Sequence, residues 1–157
     1  VPLAPKARRS TPADAERIHK QWIAAERSPV SKLGFKPANM VQTDDAGLTV
    51  AGLYDKKSDQ SWYDTKYEST AVHEALHRGL KMLRESGAMP KLPNWVSEES
   101  LVRRIMDKHF GDIEAGHGKV AKQQLEHARN MVTDRELKLV EDAAAEMVAK
   151  KRPGGPR

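Results

Sequence analysis

Apolar and polar residues follow two different periods along this chain, and each period predicts a different kind of element. Two short apolar runs at residues 48–54 and 61–64 flank a polar segment at residues 55–60, which predicts a β-hairpin. From residue 68 onward, apolar residues recur every three or four positions, as they do on one face of an amphipathic helix. Together with a helix that precedes the strands, this order of one helix, a few short strands and then helices alone indicates an α+β domain with a small sheet.

Capping residues and helix breakers set the bounds of the predicted helices. Ser, Thr or Asn residues stand near the start of four of them, and a Ser-Gly pair ends the second. The last helix starts with the capping box Thr133-Asp134-Arg135-Glu136. The predicted helices cover residues 12–27, 68–85, 94 or 97 to 109, 119–131 and 134–150. Residues 28–46 contain three breakers, so we expect irregular structure there apart from a short strand at residues 40–42.

The length of 157 residues suits one domain with short terminal extensions. Residues 1–9 carry three basic side chains and no acidic one, and residues 150–157 carry four basic side chains and no acidic one. Because the net charge is +5, the rest of the chain is close to neutral. We therefore expect a basic N-terminal arm at residues 1–10, a single domain at 11–149 and a basic tail at 150–157. Within the domain we expect Trp22 and Trp95 to anchor the core.

Composition excludes several classes of function. The chain has no cysteine, which rules out a disulfide scaffold, a cysteine-ligated metal site and a thiol nucleophile. No apolar run approaches the roughly 20 residues of a membrane span, and no signal peptide is visible. We therefore expect no membrane contact and a cytoplasmic or virion-associated location. No aromatic residue stands among the basic residues of the two ends, so nucleic-acid contact through these ends is a minor alternative.

The segment His73-Glu74-Ala75-Leu76-His77 carries the clearest chemical signal. Two histidines four residues apart lie on one face of a helix, so both imidazoles can reach one metal ion. The glutamate between them can reach a water molecule bound to that ion. Apolar residues fill the rest of this predicted helix, which places the histidine face at the edge of the core.

A catalytic zinc site of this kind needs a third protein ligand. A metzincin would supply it from a longer motif, but positions 80 and 83 hold leucine here instead of the required glycine and histidine. The next predicted helix offers Glu98 and Glu99. Helical periodicity puts Glu98 on the apolar face of that helix and turns Glu99 toward Arg103 and solvent. A buried carboxylate is costly unless it is paired, and a metal ion would pair it, so we favour Glu98 as the ligand.

These motifs resemble those of the gluzincin group of zinc metallopeptidases. His73-Glu74-x-x-His77 followed by Pro93-x-Trp95-Val96-x-Glu98 is similar to minimal peptidase-MA-like members, in which a Pro-x-Trp-Leu-x-Glu-Gly-type helix start follows the motif helix. The resemblance covers residues 48–106. The chain departs from the pattern in having Glu99 in place of glycine and Leu101 in place of a small residue. Its size and basic ends also resemble zincin-like domains of phage and mobile-element proteins.

The resemblance implies a zincin-like fold and a zinc-dependent metallopeptidase. A small sheet would pack on the motif helix in a metal core at about residues 48–110, and residues 119–149 would form a C-terminal helical hairpin. His73, His77 and Glu98 would bind Zn²⁺, and Glu74 would act as the general base in the hydrolysis of a protein or peptide substrate. A further residue has to stabilise the transition state. The candidates for that role are Tyr63, Tyr67, His109 and His117.

A structural or interaction protein is the alternative function. The helical C-terminal third and the basic ends suit a virion or assembly component that keeps a zincin-like fold with little or no peptidase activity. Such a protein would have a larger protein assembly as its partner and would use a metal only for stability. Glu74 favours the peptidase, because a structural zinc site has no use for a general base.

Overall fold

Four strands and five helices make up the part of the chain that the computed structural model describes, which comprises residues 8–9, 28–36, 40–43, 52–64, 69–110 and 119–151. The strands are β1 (Arg8–Arg9), β2 (Met40–Thr43), β3 (Gly52–Asp55) and β4 (Gln60–Asp64). The helices are α1 (Pro29–Gly34), α2 (Ser69–Glu85), α3 (Glu98–Phe110), α4 (Lys119–Met131) and α5 (Asp134–Lys151). The predicted α+β class is confirmed at this level. Within these ranges, no helix combines the length and apolar character that crossing a membrane requires.

The starts of α3 and α5 follow the capping signals in the sequence. Ser97 caps α3, since its hydroxyl oxygen accepts a hydrogen bond from the Ser100 N–H at 3.1 Å. The predicted capping box of α5 is confirmed, because Glu136 accepts the Thr133 N–H at 2.9 Å and Thr133 accepts the Glu136 N–H at 3.3 Å. The helix predicted at residues 12–27 lies outside the described residues.

The four strands form one mixed sheet in the order β1-β2-β4-β3. Strands β3 and β4 are antiparallel, with Gly52 opposite Tyr63, which confirms the predicted hairpin. Strand β2 runs parallel to β4, and β1 runs antiparallel to β2. The basic arm expected at residues 1–10 thus contributes a strand, because the outer edge of β2 offers backbone hydrogen-bonding groups to Arg8 and Arg9.

Helix α1 is an element that the sequence pattern does not predict, because proline and glycine usually interrupt a helix. Pro29 occupies the first helical position, where the missing N–H of proline costs no hydrogen bond. Ser28 caps the helix by accepting from the Ser31 N–H at 3.4 Å, and the Ser31 hydroxyl donates to the Ser28 carbonyl oxygen at 2.9 Å. A Ser-Pro pair is therefore the signal for a helix start at this place.

The core lies between α2, α3 and α5, and α1 packs between α2 and α5. Burying each large apolar side chain contributes about 1.5–3 kcal/mol, so the apolar stripe of α2 fixes its rotation and thereby the direction of its histidine face. The apolar faces predicted for α2 and α3 are confirmed. The main buried apolar residues are Val30, Leu33, Val72, Leu76, Leu80, Leu83, Leu101, Val102, Ile105, Met106, Leu137, Val140 and Ala144.

Trp95 does not anchor the core as expected, since it is 64% exposed. The loop between α2 and α3 instead covers the core with smaller apolar side chains, including Met89, Leu92 and Val96. Trp22, the other expected anchor, lies outside the described residues.

Two glycines allow α1 to lie directly against α2. A Cβ atom on Gly34 would be 1.8 Å from the Ala75 carbonyl oxygen, and one on Gly79 would be 2.3 Å from the Val30 carbonyl oxygen. The guanidinium of Arg78 also joins α2 to α1, because it donates a hydrogen bond to the Gly34 carbonyl oxygen at 3.1 Å. Because backbone atoms occupy both places, glycine is required at each.

We predict that Gly34→Ala destabilises the fold by about 1–3 kcal/mol or more, because its methyl group would overlap the backbone of α2. Urea unfolding of the purified variant measures this change. Gly87→Asn is the control, since Gly87 has a φ of 78° with no atom near its missing Cβ, and asparagine tolerates that conformation. The control should change stability by about 0.5 kcal/mol or less. Unchanged stability of Gly34→Ala would contradict the close packing of α1 on α2.

Candidate metal centre

Helix α2 presents His73 and His77 on one face, beside its buried apolar stripe. Their ring centroids lie 5.1 Å apart, and the ring planes are tilted by 49°. His73 is buried and His77 is half-buried, as expected for residues at the edge of the core. The fold therefore holds the two imidazoles close together at a partly open surface.

The carboxylate of Glu99, on α3, lies against both rings. Its Oε1 is 3.2 Å from Nε2 of His73, and its Oε2 is 3.0 Å from Nε2 of His77. The ligand atoms of these three side chains all lie within 4.8 Å of one another. Tetrahedral ligands at about 2.1 Å from a zinc ion are about 3.4 Å apart, so small side-chain movements would let the three hold one ion. The group therefore fits a metal ion with two imidazole nitrogens and a carboxylate oxygen.

Glu98 contacts His77 on its other ring nitrogen. Its Oε2 is 2.6 Å from Nδ1 of His77. Its Oε1 accepts a hydrogen bond from Arg84 of α2 and is 3.6 Å from Nζ of Lys56, in the turn between β3 and β4. A histidine that binds a metal through one nitrogen commonly donates its other N–H to a carboxylate in this way. Glu98 as a metal ligand stays a prediction, and the described geometry brings Glu99 to the Nε2 atoms.

The exposure of the two glutamates follows helical periodicity. Exposure does not identify which of them contacts the Nε2 atoms of His73 and His77. Glu98 is 16% exposed and Glu99 is 47% exposed. The sequence favours Glu98 as the ligand on the premise that a buried carboxylate needs a metal ion as its partner. In the structure, the guanidinium of Arg84 and the imidazole of His77 already pair with Glu98. Glu99 reaches the histidines from the rim, where Arg103 lies 3.2 Å from its Oε1. The Glu99–Arg103 spacing was visible in the sequence, but it did not reveal which carboxylate faces the Nε2 atoms.

Ion pairing sets the protonation of the site. Burial would lower the pKa of His77, but hydrogen bonds to Glu98 and Glu99 outweigh it and raise the pKa to about 9. Burial would raise the pKa of Glu98, but hydrogen bonds from His77 and Arg84 lower it to about 2. The pKa of Glu99 is also lowered, because hydrogen bonds from both histidines outweigh its burial. Near neutral pH, ionised carboxylates therefore face a protonated imidazole in the metal-free protein.

Glu74 lies between the two histidines in the chain and is 5% exposed. Its negative charge is among the causes of the raised pKa of His77, so it acts electrostatically on the site. A general base at this centre has to be a carboxylate near the imidazoles, and its effect on His77 puts the charge of Glu74 within electrostatic range of the site. Its catalytic role stays a prediction.

The structure places one of the four candidate transition-state stabilisers away from the site. His109 is eleven residues beyond Glu98 on α3, about 16 Å along the helix axis. Its Nε2 contacts the buried carboxylate of Glu141 on α5, so its role is to pair with a buried acid between two helices. Tyr63 belongs to β4, whereas Tyr67 and His117 lie outside the described residues.

Comparison with known proteins adds no relative. No protein-family model matches the chain, and neither a curated protein nor a solved structure is detectably similar to it. The inferences about function therefore rest on the residues and geometry of the chain.

We predict that Zn²⁺ binding at pH 7 releases about one proton per chain, because a metal ion binds the neutral form of an imidazole. With a pKa of about 9, His77 is protonated at pH 7 before the metal binds. Zinc affinity should therefore rise with pH up to about 9 and level off above it. Titration calorimetry in buffers of different ionisation enthalpy measures the released protons.

The control for this measurement is Glu98→Gln, which removes a negative partner of His77. The pKa of His77 should fall in this variant, so zinc binding at pH 7 should release fewer protons than in the native chain. Zinc binding to the native chain without proton release at pH 7 would contradict the described charge arrangement.

Proposed function

We propose that the chain is a zinc-dependent metallopeptidase with a zincin-like fold, whose metal is held by His73, His77 and Glu99. The observation that supports this most is the approach of one carboxylate to both imidazole Nε2 atoms, at 3.2 and 3.0 Å. Two histidines and a glutamate form the ligand set of one class of catalytic zinc sites, which leaves a fourth position for water. The resemblance of the motifs to gluzincins supports a zinc site at the two histidines and the peptidase function, although it assigns the third ligand to Glu98.

Glu98 is the alternative third ligand within this proposal. The motif resemblance assigns ligation to Glu98, whereas the distances favour Glu99. To reach the Nε2 side of His77, Glu98 would have to give up its contacts with Nδ1 and with Arg84. We therefore propose Glu99 as the ligand and Glu98 as the carboxylate that orients His77.

Zinc is the metal that suits this set of donors. Imidazole and carboxylate ligands are compatible with several divalent ions, but a compact set of two histidines and one glutamate is typical of zinc. A zinc ion held there would act as a Lewis acid and would lower the pKa of a water molecule at the open position.

The residues of the chain would perform the remaining steps of peptide hydrolysis. Glu74 would take a proton from the attacking water and deliver it to the amine that leaves. Glu98 would hold the Nδ1–H of His77, which keeps Nε2 directed toward the metal. Strand β3 lies at the end of the sheet order, where its outer edge could pair with an extended peptide.

The structural or interaction protein is the second candidate function, and the ion pairs of the site are the observation that favours it. Ion pairs join His73 to Glu99 and His77 to both Glu98 and Glu99 across α2 and α3. A pair of helices joined in this way needs no catalysis to explain its histidines. This candidate gives Glu74 no chemical role, and a test of Glu74 therefore separates the two functions.

We predict that the native chain binds about one zinc ion, and that Glu99→Ala removes it. Glu98→Ala should keep zinc but bind it about 10–100-fold more weakly, as expected when a partner of a ligating histidine is lost. Metal analysis by mass spectrometry, combined with chelator competition, measures both. Glu146→Ala, at an exposed position of α5 far along the chain, is the matched control and should not change zinc binding. The reverse order of effects would assign ligation to Glu98.

We predict that Glu74→Gln binds zinc as tightly as the native chain but hydrolyses peptides about 10²–10⁴-fold more slowly, because it lacks a general base. Cleavage of a fluorogenic peptide library by zinc-loaded protein measures the rate. No cleavage by the zinc-loaded native chain would count against the peptidase and in favour of the structural alternative.

A further inference from the structure

We infer that Arg84 and Lys56 are positioning residues of the metal centre, which act through Glu98 to fix the orientation of His77. The inference rests on the proposed function, since it takes His77 to be a metal ligand. Neither cation contacts the Nε2 atoms of the site in the described geometry, and each reaches His77 only through one carboxylate.

The two carboxylate oxygens of Glu98 are occupied by different partners. Oε2 lies 2.6 Å from Nδ1 of His77, and Oε1 accepts from Arg84. Arg84 stands seven residues after His77 on α2, about 10 Å along the axis. Side chains of a helix lean toward its N-terminus, so the guanidinium of Arg84 reaches back toward the histidine. One carboxylate thus connects two places on α2.

Lys56 lies in a turn that is hydrogen-bonded to α2. Its carbonyl oxygen accepts from Nζ of Lys81 at 2.8 Å. Asp59, in the same turn, accepts from Nε of Arg78 at 2.9 Å and from the Tyr54 hydroxyl at 2.7 Å. Two cations of α2 therefore hold the turn, and Nζ of Lys56 is placed 3.6 Å from Oε1 of Glu98 by an anchored backbone.

The contacts of Arg84 and Lys56 with Glu98 differ in strength. Arg84 makes a charge-assisted hydrogen bond to Glu98 and is 40% exposed. Lys56 is 57% exposed and makes only a longer ion pair, which water screens. Arg84 should therefore contribute more to the placement of Glu98 than Lys56 does.

The test compares zinc affinity in Arg84→Ala, Arg84→Lys and Lys56→Ala by chelator competition. Loss of a direct partner of a ligating histidine weakens metal binding about 10–100-fold, and a residue one contact further away should have a smaller effect. We expect about a 5–10-fold loss for Arg84→Ala and about a 2-fold loss for Lys56→Ala. Arg84→Lys keeps the charge and should recover part of the affinity.

The imidazole signals of His77 in ¹⁵N-edited NMR report the Nδ1–H contact directly, and urea unfolding of each variant shows whether its overall stability has changed. In the native chain the Nδ1–H proton donated to Glu98 should exchange slowly with water, and in Arg84→Ala it should exchange faster. The matched control is Arg129→Ala. It removes an ion pair between α4 and α3 in which Arg129 donates two hydrogen bonds to Asp107. It should change neither zinc affinity nor the His77 signal.

The outcomes separate this inference from the proposed function. Unchanged zinc affinity and an unchanged His77 signal in Arg84→Ala and Lys56→Ala would overturn the inference while leaving the metal site intact. If the native chain binds no zinc, the proposed function fails. The His77 signal of the metal-free chain then tests the positioning contact alone, where faster exchange in Arg84→Ala supports it and no change overturns it.

Discussion

The carboxylate of Glu99 lies between the Nε2 atoms of His73 and His77, and this contact joins α2 to α3 where their polar faces meet. The apolar stripes of the two helices determine where that meeting takes place. Leu76 and Leu80 on α2, and Val102 and Ile105 on α3, are fully or almost fully buried, so neither helix can rotate without exposing them. The glycine contact with α1 holds α2 from its other side. The site is thus a consequence of core packing that brings two imidazoles and two carboxylates together.

Charged groups at the edge of a core are costly to bury unless they are paired. The ion pairs of this site would also affect the binding of a metal ion. Each carboxylate of the site has more than one partner, and these partners come from α2, from α3 and from the turn after β3. A metal ion that enters must replace a proton on His77 and share Glu99 with Arg103. The same contacts that organise these side chains would therefore compete with a metal ion, and its affinity would be sensitive to the cations around the site.

Much of this arrangement could be predicted from the sequence, because the features concerned are local. Helix starts follow from Ser97 and the Thr133 capping box, and the histidine spacing places both rings on one helix face. The features that could not be predicted depend on contacts between distant parts of the chain. Helix α1 forms because a Ser-Pro start meets a glycine surface on α2, and His109 faces an acid on α5.

The roles of the two adjacent glutamates also depend on contacts between distant parts of the chain. Periodicity ranked the exposure of Glu98 and Glu99 in the observed order, but burial alone does not identify a ligand. Glu98 is buried because Arg84, Lys56 and Nδ1 of His77 surround it, and only the packing of α3 on α2 brings these partners together.

The central claim is that two imidazoles and one carboxylate of this chain bind one zinc ion. X-ray absorption spectroscopy of the zinc-loaded native chain tests it most directly, because it reports the donors around the ion. The proposed site predicts two imidazole nitrogens at about 2.0–2.1 Å and oxygen donors at about 2.0–2.2 Å in a four- or five-coordinate centre. A spectrum of oxygen donors without imidazole scattering, or no bound zinc, would contradict the claim.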